Sequence, residues 1–394
     1  MSDNTPIYTF FLGTNPALSG SELLALLART GISYKILGIQ KRYIRATFQK
    51  PLPPDFIKSL GGTLRISMDV ASWNSMPSGE EILDVLGTLP DKWQIGIGSL
   101  GLSQNMGKVG VELKKGSRAR NAKLSFIEPR RGSKDTILNA GQVLFYKLLQ
   151  EPNTELIFLQ DNGTIFLLKT VSIQDIASYE LRDTSRPARD PKVGMLPPKL
   201  AQIMINLAMP SHADSSSVLY DPFCGMGTIL QEAYLMGIRS FGTDISERMV
   251  RASKQNLEHI AQHVPVEPSL MPLVFAHDAT SPNIPKEIPF TSPAAESPGT
   301  FSAPQVPASN CIPVAPPIVA VFCVKACNLN PVAKPILLVF EAIIGRYEAY
   351  ALVILPLPVA WTWPLMPYAS TIEPDDTFFV VNCIPRASVI IPGP

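Results

Sequence analysis

The chain has 394 residues, with 34 Lys and Arg against 33 Asp and Glu, so its formal net charge is +1. That balance excludes a polybasic or polyacidic protein, and any electrostatic partner must be recognised by local charge. The five cysteines fit neither a secreted disulfide framework nor a paired-cysteine zinc site, and no metal site is predicted. We expect a cytoplasmic protein without a membrane span, because the N-terminus lacks a signal peptide and four prolines interrupt the uncharged segment 349–372.

The first 75 residues alternate between strand and helix patterns. The predicted elements are strands at 7–12, 42–48 and 64–73 and helices at 19–30 and 55–60. We predict the β-α-β-β-α-β rhythm of a ferredoxin-like module over residues 1–75, with three of its four strands located by these patterns.

A second α/β module is predicted over residues 76–172. Its elements are helices near 79–87 and 137–150 and strands near 93–98, 155–160 and 164–170. The last two strands are joined by Asp161-Asn162-Gly163, a sequence typical of a hairpin turn. Residues 173–192 are polar and contain two prolines, which predicts a linker to a further α/β domain at 193–290.

The composition changes near residue 290. Residues 281–394 hold 20 of the 38 prolines, and residues 291–394 carry only ten charged side chains. This mixture fits neither a polar linker nor a core of alternating apolar and charged residues. We interpret residues 291–394 as an aberrant segment produced by a shifted reading frame, and a diverged proline-rich extension is the alternative. The fold is therefore expected to be incomplete or aberrant after about residue 290.

A glycine turn follows the short apolar strand at 218–220. The sequence Asp221-Pro222-Phe223-Cys224-Gly225-Met226-Gly227 leads from this strand into a predicted helix. Glycine at two of these positions permits positive φ and lets a ligand approach the backbone. The free N–H groups at the start of the helix suit a carboxylate or a phosphate. Taken alone, such a turn is equally typical of ordinary tight turns.

Two further strands end beside acidic residues. Asp244 ends the strand at 239–243, where a carboxylate can bind two ribose hydroxyls or, alternatively, cap the next helix. Asp278 follows the strand at 273–276, where it can accept a hydrogen bond from an adenine amino group. Because carboxyl ends of parallel strands share one edge of a sheet, these positions predict a nucleoside cofactor. Leu230 replaces the third glycine of a dinucleotide fingerprint, which disfavours NAD.

Two motifs in order carry a family resemblance. The sequence DPFCGMGT, a helix and then GTDIS resemble the first motifs of class I methyltransferases that act on nucleic acid amino groups. Upstream, Arg186-Pro187-Ala188-Arg189 and the segment Gly194 to Ala201 resemble the cofactor-lid motif of the THUMP-domain tRNA guanine-N2 methyltransferases. The resemblance runs from about residue 5 to 280 and is most specific over 186–245.

The resemblance implies a Rossmann-like methyltransferase domain, a THUMP module over 76–172, S-adenosylmethionine as cofactor, and tRNA or another structured RNA as partner. The implied reaction is methylation of the exocyclic N2 amine of a tRNA guanine, with methylation of DNA adenine or ribosomal RNA as alternatives. The residues implied to bind the cofactor are Met195, Leu196 and Pro197 at its methionine end, Asp221, Gly225 and Gly227 around its amino acid part, Asp244 at the ribose and Asp278 at the adenine.

The family's catalytic motif is absent from this sequence. In the family, the fourth strand ends in an acid or Asn followed by Pro-Pro and an aromatic that stacks on a flipped base. After Asp278 the nearest sequences are Ala315-Pro316-Pro317-Ile318 and Met366-Pro367-Tyr368, and neither combines an acid or amide with an aromatic. No catalytic residue is assigned, and a catalytically defective RNA-binding protein is the second hypothesis.

Residues 103–134 carry nine Lys and Arg against two Glu. We predict a mobile basic loop that binds RNA phosphates, and a solvated loop without a partner is the alternative. The residues predicted to contact RNA are Lys114, Lys115, Arg118, Arg120, Arg130 and Arg131.

Overall fold

The computed structural model describes most of the first 280 residues and, beyond them, the backbone of three strands. The described residues are 5–129, 136–190, 195–209, 218–279, 318–323, 335–344 and 347–356. The chain divides into two units, residues 1–179 and 180–394. None of the described helices is long and apolar enough to cross a membrane.

The first unit contains a single eight-stranded sheet. Its strands are β1 (Ile7–Leu12), β2 (Tyr34–Gln40), β3 (Tyr43–Phe48), β4 (Thr63–Trp73), β5 (Lys92–Leu100), β6 (Lys123–Ile127), β7 (Thr154–Asp161) and β8 (Thr164–Ile173). Its helices are α1 (Pro16–Thr30), α2 (Gly79–Leu86), α3 (Met106–Ala119), α4 (Ala140–Phe145) and α5 (Ile176–Arg182), which reaches three residues into the second unit, with a short 3-10 turn at Phe56–Ser59. The strand order is β2-β3-β1-β4-β8-β7-β5-β6.

The first 75 residues have the strand arrangement of the predicted ferredoxin-like module, although β2 was not predicted and the helix predicted at 55–60 is a 3-10 turn. Strands β2, β3, β1 and β4 are neighbours and pair antiparallel. Helix α1 begins earlier than predicted, because Asn15 caps it by accepting a hydrogen bond from the Leu18 N–H at 3.3 Å. The helix buries Leu23 and Leu27 in a core with Phe10 and Phe48 of the sheet. Burying each such side chain stabilises the fold by about 1.5–3 kcal/mol.

The two predicted N-terminal modules share one sheet. Strand β8, from the second module, pairs antiparallel with β4 of the first. Helices α2 and α3 bury Ile82, Leu83 and Leu113 in a core with Ile95 and Phe158. The boundary predicted at residue 75 falls two residues after β4, and the division into two modules stays a prediction, as does the THUMP identity of the second.

The mobile basic loop predicted over 103–134 is wrong for most of its length, because α3 and β6 occupy it. The glycines that suggested flexibility permit close packing instead. A Cβ on Gly110 would lie 2.5 Å from the Phe126 ring, and one on Gly116 would lie 2.7 Å from Leu83 Cδ1. Residues 130–135 lie outside the described residues. The helix predicted at 137–150 is also shorter, since α4 ends at Phe145 and Lys147 adopts a φ of 54°.

The second unit contains a six-stranded sheet in the order β11-β10-β9-β12-β14-β13. Its strands are β9 (Val218–Asp221), β10 (Ser240–Asp244), β11 (Leu273–Ala276), β12 (Ile318–Cys323), β13 (Pro335–Ile344) and β14 (Tyr347–Pro356). Its helices are α6 (Pro198–Ala208), α7 (Thr228–Leu235) and α8 (Glu247–His263), with a 3-10 turn at Pro268–Leu270. All neighbouring strands are parallel except the pair β13 and β14. The predicted Rossmann-like α/β fold is confirmed.

Three strands from the segment after residue 290 extend this sheet. Strand β12 pairs parallel with β9, with Ile318 opposite Val218, and β14 pairs parallel with β12. Because β9 has β10 on one side and β12 on the other, the strand order reverses there, and ligands of open α/β sheets bind at such a point. The shifted reading frame stays a prediction.

Candidate cofactor site

The carboxyl ends of β9, β10 and β11 lie along one edge of the sheet. Gly242 is opposite Asp221, and Asp244 is opposite Ala276 in the parallel register. The His277 N–H donates to the Asp244 carbonyl oxygen at 3.0 Å, which keeps the chain after β11 beside the end of β10. The next residue is Asp278, whose side chain is exposed. The three predicted strand tips therefore meet at one edge.

The glycine turn between β9 and α7 has the predicted left-handed backbone. Gly225 has a φ of 50° and Gly227 a φ of 78°, values that L-amino acids with side chains rarely adopt. Space is also restricted, because a Cβ on Gly227 would lie 2.2 Å from Ser253 Oγ of α8. The Gly227 N–H closes the turn by donating to the Cys224 carbonyl oxygen at 2.7 Å. Only glycine fits position 227 without displacing α8.

The Asp244 carboxylate connects the glycine turn to the start of α8. Its Oδ2 accepts from the Gly225 N–H at 3.0 Å, and its Oδ1 accepts from the Ser246 N–H at 2.9 Å. The capping role left open by the sequence takes a different form, because Ser246 is the N-cap of α8 and Asp244 accepts from its N–H. Each carboxylate oxygen offers two acceptor sites, so each retains capacity for one ribose hydroxyl. The Asp244 carboxylate can therefore bind both hydroxyls of a vicinal diol and keep its hydrogen bond from the Gly225 N–H.

Asp221 is buried beneath the turn. Its Oδ1 accepts from the Phe223 N–H at 3.1 Å, and the side chain is only 3% exposed. Burial and, to a smaller extent, the nearby Asp244 charge raise its pKa to about 7, although the hydrogen bond from the Phe223 N–H lowers it. Burial also raises the pKa of the Cys224 thiol far above its usual value. A nucleophilic role for Cys224 is therefore disfavoured, since the thiolate is the reactive form.

Two exposed apolar side chains flank the same edge and were missed in the sequence. Phe223, after β9, is 51% exposed, and Ile245, after β10, is 75% exposed. Large apolar side chains at a polar ligand edge suit the flat faces of a purine or a base. Their positions in the sequence could have indicated them, because Phe223 follows Asp221 by two residues and Ile245 follows Asp244 directly.

The segment 182–190, inside the predicted linker 173–192, packs along α7 and α8. Arg182 Nε donates to Glu232 Oε1 of α7 at 2.6 Å, and both side chains are buried. Asn256 of α8 accepts from the Ala188 N–H at 2.9 Å and donates to the Ala188 carbonyl oxygen at 3.1 Å. Its Nδ2 also donates to the Met226 carbonyl oxygen at 3.0 Å, which ties the segment to the glycine turn. Sequence reasoning did not identify Asn256.

Met195, Leu196 and Pro197 lead into α6. Leu196 packs against a core formed by α6, β9 and α7, which includes Ile229. Since α7 starts at the glycine turn, this core places the segment beside the turn's helix. Contact of these three residues with a cofactor stays a prediction, as do the ligand roles of the aspartates and glycines.

The predicted RNA-contacting residues divide into three groups. Lys114, Lys115 and Arg118 are exposed on α3. Arg120 instead donates to Glu80 Oε2 and Asp84 Oδ1 of α2, each at 2.6 Å, which joins the end of α3 to α2. The remaining residues, Arg130 and Arg131, lie outside the described residues.

The fourth strand of the sheet ends without the family's catalytic sequence. Strand β12 runs parallel to β9, so its carboxyl end, at Cys323, faces the edge that carries Asp244. Ile318, which follows the Pro-Pro pair in the chain, begins β12 at the opposite edge. The alternative Met366-Pro367-Tyr368 lies outside the described residues.

Comparison with known proteins supports the resemblance seen in the sequence. Residues 186–271 match the UPF0020 family, described as an RMKL-like methyltransferase domain. A tRNA (guanine(10)-N2)-dimethyltransferase of Methanothermobacter thermautotrophicus is 43% identical over 86 residues, which is 21% of this chain and 25% of that protein. The enzyme of the same name from Pyrococcus abyssi is 44% identical over 64 residues, 16% of this chain and 18% of its own.

A solved structure from Clostridium difficile 630, described as a possible methylase, covers 81% of this chain and 80% of its own, with 15% identity and a TM-score of 0.40. The chain matches a quarter or less of the length of the two curated relatives. The family match covers the glycine turn, Asp244 and the packed segment from Arg186 onwards. Residues 186–271 are therefore similar to the RMKL-like methyltransferase domain family.

Proposed function

We propose that this protein is an S-adenosylmethionine-dependent tRNA methyltransferase that modifies the exocyclic N2 amine of a guanine. The observation that carries the proposal is the Asp244 carboxylate bound to the N–H of Gly225, inside a matched methyltransferase domain. The names of the relatives that match this region support tRNA as substrate and guanine N2 as target.

The residues at the strand tips fit the parts of S-adenosylmethionine. The Asp244 carboxylate suits two ribose hydroxyls, and the exposed Asp278 suits the adenine amino group. Phe223 and Ile245 offer apolar surface for the faces of the adenine. The left-handed turn at Gly225 and Gly227 leaves room for the amino acid part near the backbone.

When bound, S-adenosylmethionine supplies an electrophilic methyl group. The chain's own contribution is position and exclusion of water, because bringing an amine and a methyl group into line removes most of the entropic barrier. Asp244 fixes the glycine turn against α8, and Asn256 fixes the segment at Ala188 against the same turn. These bonds hold the cofactor edge in one geometry before the substrate arrives.

The RNA contact is proposed on the exposed face of α3. Lys114, Lys115 and Arg118 lie on this face with their charges in solvent. Phosphate neutralisation by such residues gives affinity that falls with salt and does not depend on sequence. Arg120 is left out of this surface, because its Nη2 already forms ion pairs with two carboxylates of α2.

The proposal is tested by incubating the protein with methyl-labelled S-adenosylmethionine and tRNA transcripts, then digesting the RNA to nucleosides. Label in N2-methylguanosine is the expected result. Label in ribosomal RNA or in DNA adenine, with none in tRNA, would show that tRNA is not the substrate. If the protein does not bind S-adenosylmethionine, the proposed enzymatic function is wrong.

A catalytically defective RNA-binding protein is the second candidate, and one observation favours it. The carboxyl end of β12 is Cys323, where the family carries an acid or amide followed by Pro-Pro and an aromatic. A chain that binds both S-adenosylhomocysteine and tRNA, but transfers no label, would establish this second function.

A further inference from the structure

Arg186 is a buried cation with incomplete hydrogen bonding. The residue is 2% exposed, and its Nη1 donates to Thr228 Oγ1 at 2.9 Å. Its Nε and Nη2 have no acceptor among the described residues. A buried donor that lacks an acceptor costs about 1–3 kcal/mol, and more when it is charged. We therefore expect a bound ligand to supply the missing acceptor.

The position of Arg186 indicates what that acceptor is. Thr228 is the first residue of α7, and the N-cap Gly227 provides no side-chain hydrogen bond to the helix. The free N–H groups and the dipole at a helix start favour an anion. The guanidinium therefore lies beside a second anion-binding feature, the start of α7 that follows the glycine turn.

The geometry of the unpaired donors restricts the anion further. The Nε–H and Nη2–H of a guanidinium form one side-on fork, which matches the two oxygens of a carboxylate. The described charges near Arg186 are Asp183 and Arg189, which shift its pKa in opposite directions, while burial lowers the pKa most. Arg189 is exposed and donates to the Thr184 carbonyl oxygen at 2.9 Å. The two side-on donors of Arg186 thus remain buried without an acceptor among the described residues.

We propose that Arg186 binds the carboxylate of the amino acid part of the cofactor through its Nε and Nη2 donors. This inference rests on the proposed function, since it assumes an adenosyl amino acid at the strand tips. It assigns to the segment before α6 a charged contact in addition to the apolar residues Met195, Leu196 and Pro197. The bond between Nη1 and Thr228 orients the fork toward the ligand.

The test compares S-adenosylhomocysteine with its decarboxylated analogue by calorimetric titration. The wild-type chain should bind S-adenosylhomocysteine more tightly. Arg186→Gln should lower that affinity by roughly ten- to a hundredfold, the range for a charged hydrogen bond, and change the affinity for the analogue by less than about twofold. Arg186→Lys should lie between, because it keeps the charge and loses the fork. Arg42→Gln, at an exposed position of the first unit, serves as the matched control and should change neither affinity.

Equal losses for both ligands in Arg186→Gln, or no loss for either, would overturn the inference and leave Arg186 as a packing residue. If Arg186→Gln fails to unfold cooperatively, the comparison of ligands in the wild type and in Arg186→Lys decides. Equal affinity of the wild type for both ligands would then contradict a carboxylate contact. If the wild-type protein binds neither ligand, the proposed function itself is contradicted.

Discussion

Two buried arginines, Arg65 in the first unit and Arg186 in the second, differ in how completely they are paired. In the first unit, Arg65 donates to Glu155 and to the Leu138 carbonyl oxygen, while Thr170 donates to the other Glu155 oxygen at 2.6 Å. In the second unit, Arg186 has one protein acceptor and two donors without one among the described residues. A buried charge with its full set of partners fixes the fold, whereas one with vacant donors beside a glycine turn marks a place for a ligand.

The largest effect is expected from breaking the paired network. Glu155→Gln leaves Arg65 buried without its counterion, which should lower the free energy of unfolding by about 3–5 kcal/mol. Urea unfolding measures the change. Glu151→Gln, whose carboxylate is exposed beside Lys169, is the matched control and should change little. Similar stability of both variants would show that the network contributes no more than a surface pair.

Gly227→Ala tests the strain and the close contact in the glycine turn. The φ of 78° and the predicted overlap with Ser253 should together cost about 1–3 kcal/mol of stability. Gly237→Ala is the control, because Gly237 has a φ of 71° but nothing within 4 Å of an added Cβ. The control should lose about 1 kcal/mol, from backbone conformation alone. Equal losses in the two variants would contradict the contact between the turn and α8.

Measurements of tRNA binding can distinguish the exposed basic residues of α3 from Arg120, which is ion-paired with α2. Lys115→Gln combined with Arg118→Gln should lower tRNA affinity and reduce the slope of log affinity against log salt by about 2. Arg120→Gln should leave that slope unchanged, because Arg120 is paired with Glu80 and Asp84. Filter binding at several salt concentrations measures both. An equal change in slope for Arg120→Gln would contradict its structural assignment.

A further expected effect is a pH dependence of stability. Burial raises the pKa of Asp221 and of Glu232 to about 7 each, so the folded chain binds more protons than the unfolded chain between about pH 4 and 7. Stability from these groups is full below their unfolded pKa values and is lost as pH rises through 7. Urea unfolding should therefore give a higher free energy at pH 5.5 than at pH 7.5. Asp221→Asn should flatten this dependence, and an unchanged slope would contradict the buried state of Asp221.

The sequence predicts most of the local features and misses those that depend on distant residues. The strand tips, the glycine turn and the hairpin at Asn162 follow from short motifs whose backbone needs are local. The pairing of Arg120 with α2 and the contact of Asn256 with Ala188 join residues 36 to 68 positions apart, and no periodicity signals them. Helix α3 was mistaken for a loop because its glycines and basic residues hide the apolar spacing of Val109 and Leu113.

The central claim is that the edge formed by Asp244 and the turn at Gly225 binds the cofactor. Calorimetric titration with S-adenosylhomocysteine tests it in the wild type and in Asp244→Ala, with Glu258→Gln, an exposed residue of α8, as control. Asp244→Ala should weaken binding by about 1–3 kcal/mol, because the ribose acceptors and the bond to the turn are both lost. Unchanged affinity in a folded Asp244→Ala chain would contradict the claim.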